Sequence, residues 1–471
     1  MNRRELLSSS ALAGAAVELP AATQVSRSAP TDRIGVGVIG CGGMGSVDQT
    51  DFQRNPEVAI TAVCDVNQEN AARARARAGG KAQLYSDYRK LLDDTSVQAV
   101  VVATPDHWHA KIFIDACDAG KDVYVEKPIS NSIREGRLMV EAARRNNRVV
   151  QVGLQQRSGS HFRRAVKLIQ EGRLGKIHFV ECFYRAVSAV ASTPAPSSPP
   201  PAGLDWDFWL GPAPNAGYSP VRQRRWRSFY DYGGGIMTDW GVHVIDIALW
   251  AMKADAPLTV SSVGARFLAP DPNDYSLGDT PDTQVVLYEF PGFLLQFTKL
   301  ANNSFGPHGK VGTDKFGAYG TLFHGSLGTL FIDRAGYELF PQLVGGRDPD
   351  AALDIQGEWG QSISDRTDDG LAVSCVFGSQ RGAESGSRSY THFPHVRNFL
   401  TCLKTRQEPA VDIEAGHRTT TTCHLANISA RTGQKLVWDA KAERITNSAE
   451  ANQLLTRAYR SPWRLDGLYR G

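Results

Sequence analysis

The run RIGVGVIGCGGMG, residues 33–45, constrains this chain more than any other stretch. An apolar segment leads into Gly40-x-Gly42-x-x-Gly45, and MGSVDQTDFQRN then opens as a helix. Asp65 stands twenty residues past Gly45 (65 − 45 = 20), at the end of a second apolar run, VAITAVCDV. A strand, a glycine-rich turn, a helix and an acid at that distance form the signature of a dinucleotide-binding unit. Gly40 permits the tight turn, Gly42 with Gly43 and Met44 lets backbone approach a pyrophosphate, and Gly45 allows helix and strand to pack closely. The helix N-terminus adds free N–H groups and partial positive charge. Asp65 is placed to accept hydrogen bonds from the adenosine ribose. A carboxylate there repels a 2′-phosphate, so NAD is favoured over NADP.

Apolar runs and helical stretches then alternate as far as RVVQVG, which predicts a doubly wound parallel sheet. This gives an NAD-binding Rossmann domain over residues 32–153. Beyond it, IHFVECFYRAV, TQVVLYEF, LLQFTKL and GTLFIDRAGYELF read as strands separated by Gly and Pro. They predict a second α/β domain over 154–471, built on an open, mostly antiparallel sheet. At 471 residues, two domains are the natural division. A net charge of +3 is too small to suggest nucleic acid or an anionic membrane as partner. The seven cysteines show no disulfide framework and no C-x-x-C pair. Residues 1–31 carry Arg3-Arg4, a short Ala-rich apolar run and then small residues, the pattern of a twin-arginine signal peptide and its linker. The apolar run is too short to span a bilayer. The expected location is the periplasm, or the cytoplasm if this leader does not function.

Three further motifs carry chemistry. ATPDHWHA follows a predicted parallel strand, where open α/β sheets hold their ligands. Thr104 and Pro105 shape that loop, and Trp108 and His109 line the same wall. No metal is expected, since HWH has no acidic or cysteine partner at ligand spacing. VYVEKP ends another strand and brings Glu126 and Lys127 to the same edge, where a lysine ammonium stabilises a developing alkoxide. GGGIMTDWGVH offers Asp239 and His243, four residues apart. On a continuous helix they share a face, so the carboxylate orients an imidazole suited to taking a hydroxyl proton. RQRRWR, 222–227, reads as a loop facing solvent or an anionic ligand, and Trp206, Trp209 and Trp226 as core or as flat walls for a sugar ring.

In this order and spacing, GVGVIGCGGMG, ATPDHWH, VEKP and the GGG-to-DWGVH stretch resemble the Gfo/Idh/MocA family, the relatives of glucose–fructose oxidoreductase and inositol dehydrogenase. EAGHRTTTTCHLANIS resembles the members found with export signals. The resemblance implies a catalytic group of Lys127, Asp239 and His243. It implies a nicotinamide-side loop from Thr104 to His109 with Glu126, and substrate contacts from Gln155, Arg157 and Trp226 besides the catalytic group. The substrate class it implies is a sugar, glycoside or cyclitol, oxidised or reduced at a hydroxyl carbon, by a homodimer or homotetramer. Export raises an alternative, because no free NAD pool is expected outside the cytoplasm. A tightly held NAD then returns its hydride within each cycle, and the enzyme cleaves glycosides or dismutates sugars without net oxidation. A nucleotide-binding sensor without chemistry is the remaining alternative.

Overall fold

The computed structural model describes residues 33–186, 198–307, 317–341, 363–366, 372–375 and 389–467. The signal-like residues 1–31 lie outside them, as do most of the Ser192–Pro201 loop and most of the 340–390 insertion. Six parallel strands form the first sheet: β1 (Ile34–Ile39), β2 (Val58–Cys64), β3 (Gln83–Tyr85), β4 (Ala99–Val102), β5 (Asp122–Val125) and β6 (Val150–Val152). Their order is β3-β2-β1-β4-β5-β6, the dinucleotide-binding arrangement whose ligand crevice lies at the carboxyl ends of the strands. These strands are short apolar runs because helices cover both faces; Val100, Val101 and Val102 are fully buried. β3 is an edge of three largely exposed residues, which is why no hydrophobic run announces it.

The second sheet contains β7 (Ile177–Ala186), β8 (Thr259–Ala265), β9 (Thr283–Phe290), β10 (Phe293–Ala301), β11 (Ala318–Gly325), β12 (Gly328–Ile332) and β13 (Tyr337–Pro341). A separate hairpin pairs β14 (Ile363–Arg366) with β15 (Ala372–Cys375), and β16 (Leu436–Asp439) and β17 (Arg444–Ile445) extend the large sheet. Its order is β13-β12-β11-β7-β10-β9-β8-β16-β17. Every neighbouring pair is antiparallel except β7 and β10, which run parallel. The sheet is therefore mixed but mostly antiparallel. β9 shows the one-sided logic. Gln284, Val286, Tyr288 and Phe290 point inward, and Tyr288 donates to the Thr422 carbonyl of the helix Ile413–Thr432 at 3.2 Å. Val285 and Leu287 point outward and are exposed, as are Val263 and Leu294.

One layer of the first domain comes from the far end of the chain. The helix Ser389–Thr405 places Val396, Phe399, Leu400 and Cys402 in a single core cluster with Val36, Val38, Phe52 and Tyr124. The Phe399 ring meets Phe52 at 6.1 Å and Tyr124 at 5.9 Å, both edge-on. A division at residue 153 thus leaves the Rossmann sheet without this cover. An amphipathic helix announces that it has an apolar face, not which sheet that face meets. Six cysteines among the described residues are buried and free, and no described helix is long and apolar enough to cross a membrane. Truncating Phe399 to alanine empties a fully buried site and is expected to cost about 3–5 kcal/mol. Urea unfolding of Phe399→Ala measures this, and a loss under 1 kcal/mol would show that the helix is not part of the first core.

Candidate active site

The glycine loop is shaped by two glycines and left open by two others. Gly40 has φ +86°, and a Cβ on it would stand 2.7 Å from the Ala103 and Thr104 backbone. A Cβ on Gly45 would meet the Gly40 carbonyl oxygen at 1.9 Å, so Gly45 serves packing and does not itself line the cleft. Above Gly42 the nearest atom is Asn70 Nδ2 at 3.9 Å, and above Gly43 there is nothing within 4 Å. That open space sits at the N-terminus of the helix Gly43–Gln53, whose first N–H groups lack intrahelical acceptors. At the end of β2, Asp65 accepts from the backbone N–H groups of Cys41 and Asn67, each at 2.8 Å, and from Asn70 Nδ2 at 3.3 Å. Burial raises its pKa, and these hydrogen bonds oppose the rise.

A cleft of about 470 Å³ runs from this loop to the second domain. Gly40, Gly42, Gly43, Met44 and Asp65 line one end. Thr104, Pro105, Trp108, His109 and Glu126 follow along the strand ends. Lys127, Gln155, Trp226, Asp239 and His243 line the other end. Lys127 and His243, 116 residues apart in the chain (243 − 127 = 116), therefore meet in one cavity. Three buried oxygens on this lining, Thr104 Oγ1, Glu126 Oε1 and Gln155 Oε1, have no hydrogen-bond partner among the described residues. Buried polar atoms are rarely left so. Together with the open ground above Gly42 and Gly43, they fit a polar dinucleotide and a hydroxylated ligand.

Asp239 organises the substrate end. Lys127 Nζ donates to its Oδ1 at 2.6 Å and to its carbonyl oxygen at 2.8 Å, while Arg227 Nε donates to Oδ1 at 3.0 Å. Burial alone would raise the Asp239 pKa; Arg227 and Lys127 override it and hold the carboxylate well below its usual range. The helix expected through this segment is broken at Trp240, into Gly235–Asp239 and Gly241–Met252. Asp239 thus ends one helix and His243 lies in the first turn of the next. The carboxylate holds two cations instead of the imidazole, correcting the pairing expected from a continuous helix. His243 lies against the Trp240 ring, with centroids 5.7 Å apart.

The neighbouring titratable groups are mostly held neutral. Burial raises Asp106 well above the ordinary range, despite Arg227 and Lys127. Burial raises Glu126 to about 7, with Lys127 opposing. His109, pushed down to about 4 by burial, sits between the carbonyl oxygens of Pro128 (2.7 Å) and Thr104 (2.8 Å) and so ties the lysine loop to the threonine loop. His107 faces the Trp209 carbonyl at 3.0 Å away from the cleft and is structural.

Several expectations change. Arg157 is not a substrate contact: it forms a two-pronged ion pair with buried Asp246 (2.9 and 2.7 Å) and lies outside the cleft lining. The three glycines 233–235 make room for the protein itself. A Cβ on Gly233 would stand 3.0 Å from Asp106 Oδ2, and one on Gly235 would stand 2.8 Å from Thr280 Cβ. Trp206 stacks on Trp209 at 4.5 Å inside an aromatic core, and only Trp209 reaches the cleft. Sequence reasoning missed Asp106, Arg227, Trp240 and Arg334. Arg334 comes from the β12–β13 turn, lies 4.7 Å over the Trp240 ring and donates to Gln156 Oε1 at 3.1 Å. Arg227 was visible as a cation in RQRRWR, but nothing local marked it as the partner of Asp239. Among the described residues no cluster of three or more His, Cys, Asp or Glu could hold a metal ion.

Comparison with known proteins agrees with this geometry. A family model described as oxidoreductase family, NAD-binding Rossmann fold, GFO_IDH_MocA, matches residues 34–154. A second, for the C-terminal alpha/beta domain of the same family, matches 162–266 and 389–465. Inositol 2-dehydrogenase 2 of Saccharopolyspora erythraea is 29% identical over 278 residues, 58% of this chain and 68% of that protein. Levoglucosan dehydrogenase of Pseudarthrobacter phenanthrenivorans is 30% identical over 223 residues, 46% of this chain and 50% of that protein. The matches thus span about half to two thirds of these relatives' lengths. The structure of scyllo-inositol dehydrogenase from Lactobacillus casei, with NAD(H) and scyllo-inositol, superposes with a TM-score of 0.60 at 16% identity, covering 86% of this chain and 98% of that one. The Rossmann sheet with its glycine loop, the mostly antiparallel second sheet and the two matching models establish that this chain belongs to the Gfo/Idh/MocA oxidoreductase family.

Proposed function

We propose that the protein is an NAD-dependent oxidoreductase acting on a hydroxyl carbon of a sugar, glycoside or cyclitol. The observation that carries this reading is the lysine clamp: Lys127, fixed by Asp239, shares a cavity with His243 and the glycine loop. Gly42, Gly43 and Asp65 would hold the pyrophosphate and ribose, and Thr104, Glu126 and Gln155 offer acceptors toward the nicotinamide and the substrate. Bound NAD supplies the hydride acceptor or donor. Two of the three Lys127 N–H bonds are spent on Asp239, and the third is left to donate to a substrate oxygen. The ammonium then stabilises alkoxide character on that oxygen. The His243 imidazole is the group placed to take the hydroxyl proton. Trp226 and Trp240 supply flat apolar surface for a ring, and Arg227 and Arg334 supply donors for its hydroxyls. The inositol and levoglucosan dehydrogenases among the relatives support the substrate class. The outward apolar row Val263, Val285, Leu287 and Leu294 supports self-association through the large sheet.

The Arg3-Arg4 leader supports export of the folded chain to the periplasm, and with it the redox-neutral variant, in which the cofactor stays bound and the hydride returns to the sugar. Protein purified without added nucleotide and then denatured is expected to release about one NAD per chain, read by mass spectrometry. Nucleotide-free protein whose activity needs added NAD would overturn the redox-neutral variant alone.

Lys127→Ala and His243→Ala are each expected to lower kcat by about 10²–10⁴, with NAD binding retained. Asp239→Asn, which loosens the lysine, is expected to cost about 10²-fold. The assay follows nicotinamide reduction over a panel of inositols, glycosides and anhydrosugars. Turnover undiminished in the Lys127→Ala, His243→Ala double variant would end this assignment. Glu126 gives a pH signature. Its folded pKa of about 7 lies above the ordinary 4.5, so between those values the native state binds more protons than the unfolded one. Stability from this group is therefore full below about 4.5 and is lost as pH rises toward 7. Glu126→Gln is expected to flatten that decline in thermal melts across the window; an unchanged slope would show that Glu126 is not the titrating group.

A further inference from the structure

On the far side of Arg227 lies a second cavity, of about 170 Å³, whose lining shares only that residue with the cleft. It opens where the ends of β8, β9 and β10 meet the Arg225–Ser228 turn and the start of the Gly235–Asp239 helix. Four cations line it: Arg225, Arg227, Arg266 and Lys299. Arg227 shares the Asp239 carboxylate with Lys127. The other three face a single lining carboxylate, Asp282. Asp282 is itself occupied, accepting from the backbone N–H groups of Phe267 (3.2 Å) and Leu268 (2.7 Å) and from the Thr283 hydroxyl (3.0 Å).

Among the described residues none of the three makes an ion pair with a carboxylate, although the exposed Asp274 carboxylate, whose pKa Arg266 helps to lower, lies near that guanidinium. Lys299 is 6% exposed, and its ammonium donates to the Pro281 carbonyl oxygen. Arg266 donates to the carbonyl oxygens of Pro272 (3.2 Å) and Asp274 (2.7 Å). Arg225 makes no ion pair or side-chain hydrogen bond among the described residues, and burial lowers its pKa. Burial also pushes the Lys299 ammonium down to about 8, Asp282 opposing and Arg225 adding to the fall. Like charges gathered in a concave, partly dry site raise the local concentration of anions, and buried charges ordinarily have partners. The walls are fixed as well: Gly278, at φ +129°, lies so close to Ser228 that a Cβ would stand 2.5 Å from its carbonyl oxygen.

We propose that this cavity is a binding site for a phosphate group, held by Lys299, Arg225 and Arg266. Within the lining these three cations outnumber the one carboxylate by two charges, an imbalance that a phosphate dianion matches more closely than a single carboxylate ligand. A phosphate also offers three acceptor oxygens to these donor side chains. The source is either free inorganic phosphate or the phosphate of an esterified small molecule. This assignment is independent of the redox reading, since neither Lys299 nor Arg225 lines the cleft.

The test uses the full chain near neutral pH. Inorganic phosphate and glucose 6-phosphate are titrated separately by calorimetry and thermal melting, against potassium chloride and potassium acetate at matched ionic strength. Saturable binding of either phosphate compound is expected, weakened about tenfold or more in Lys299→Met and in Arg225→Gln. Whichever compound binds more tightly identifies the source. The partly exposed Arg225 provides a second variant should Lys299→Met fail to fold. A response no different from that to chloride or acetate, or phosphate binding unchanged in Arg225→Gln, would overturn the proposal.

Discussion

The Asp239 carboxylate is the interaction on which the site depends. It accepts from Lys127, which follows the fifth strand of the Rossmann sheet, and from Arg227, which belongs to the second domain. One buried anion therefore joins two cations from opposite walls of the cleft. Removing one partner of such a set leaves uncompensated buried charge, a far larger loss than a surface ion pair would cause. The clamp also fixes the direction of the lysine. With two of its protons committed to Asp239, the ammonium has one left to offer, and so the cavity presents a charged donor at a defined place.

Around this clamp the protein removes competing charge by burial. Asp106 and Glu126 stand close to the two cations yet are pushed toward their neutral forms, and His109 is pushed the same way from the basic side. Burial thus thins the charge of a site crowded with titratable side chains and leaves Asp239, held by Lys127 and Arg227, as its main charged group. Low dielectric makes those few charges act more strongly than they would in water. The phosphate cavity behind Arg227 is the converse case, where the cations outnumber the acids and the imbalance itself indicates a ligand.

Much of this was legible in the sequence where the information is local. The glycine loop could be read because turn geometry and close approach demand glycine at fixed spacing, and the structure shows Gly40 and Gly45 under those constraints. VEKP and ATPDHWH could be placed because strand ends in a parallel sheet are where ligands bind. The second sheet could be read from alternation, as in β9, where every other residue is buried. Other inferences failed for the same reason that these succeeded. Arg157 has the composition of a substrate contact, but Asp246, 89 positions away, claims it. Three consecutive glycines, 233–235, look like room for a ligand only until the fold is known, and then their neighbours are Asp106, Trp226, Asn427 and Thr280.

The amino-acid order by itself determined the nucleotide fold, the strand ends that bear Thr104 and Lys127, and the presence of an aspartate and a histidine four residues apart. Those follow from backbone geometry and from spacing along a single segment. Only the tertiary structure decided that Asp239 holds Lys127 and Arg227 instead of His243, because both cations reach it from other segments of the chain. Tertiary structure likewise decided that the helix Ser389–Thr405 completes the first domain and that three cations from separate segments surround one small cavity. Contacts between distant segments depend on how whole surfaces pack, and no short stretch of sequence encodes them.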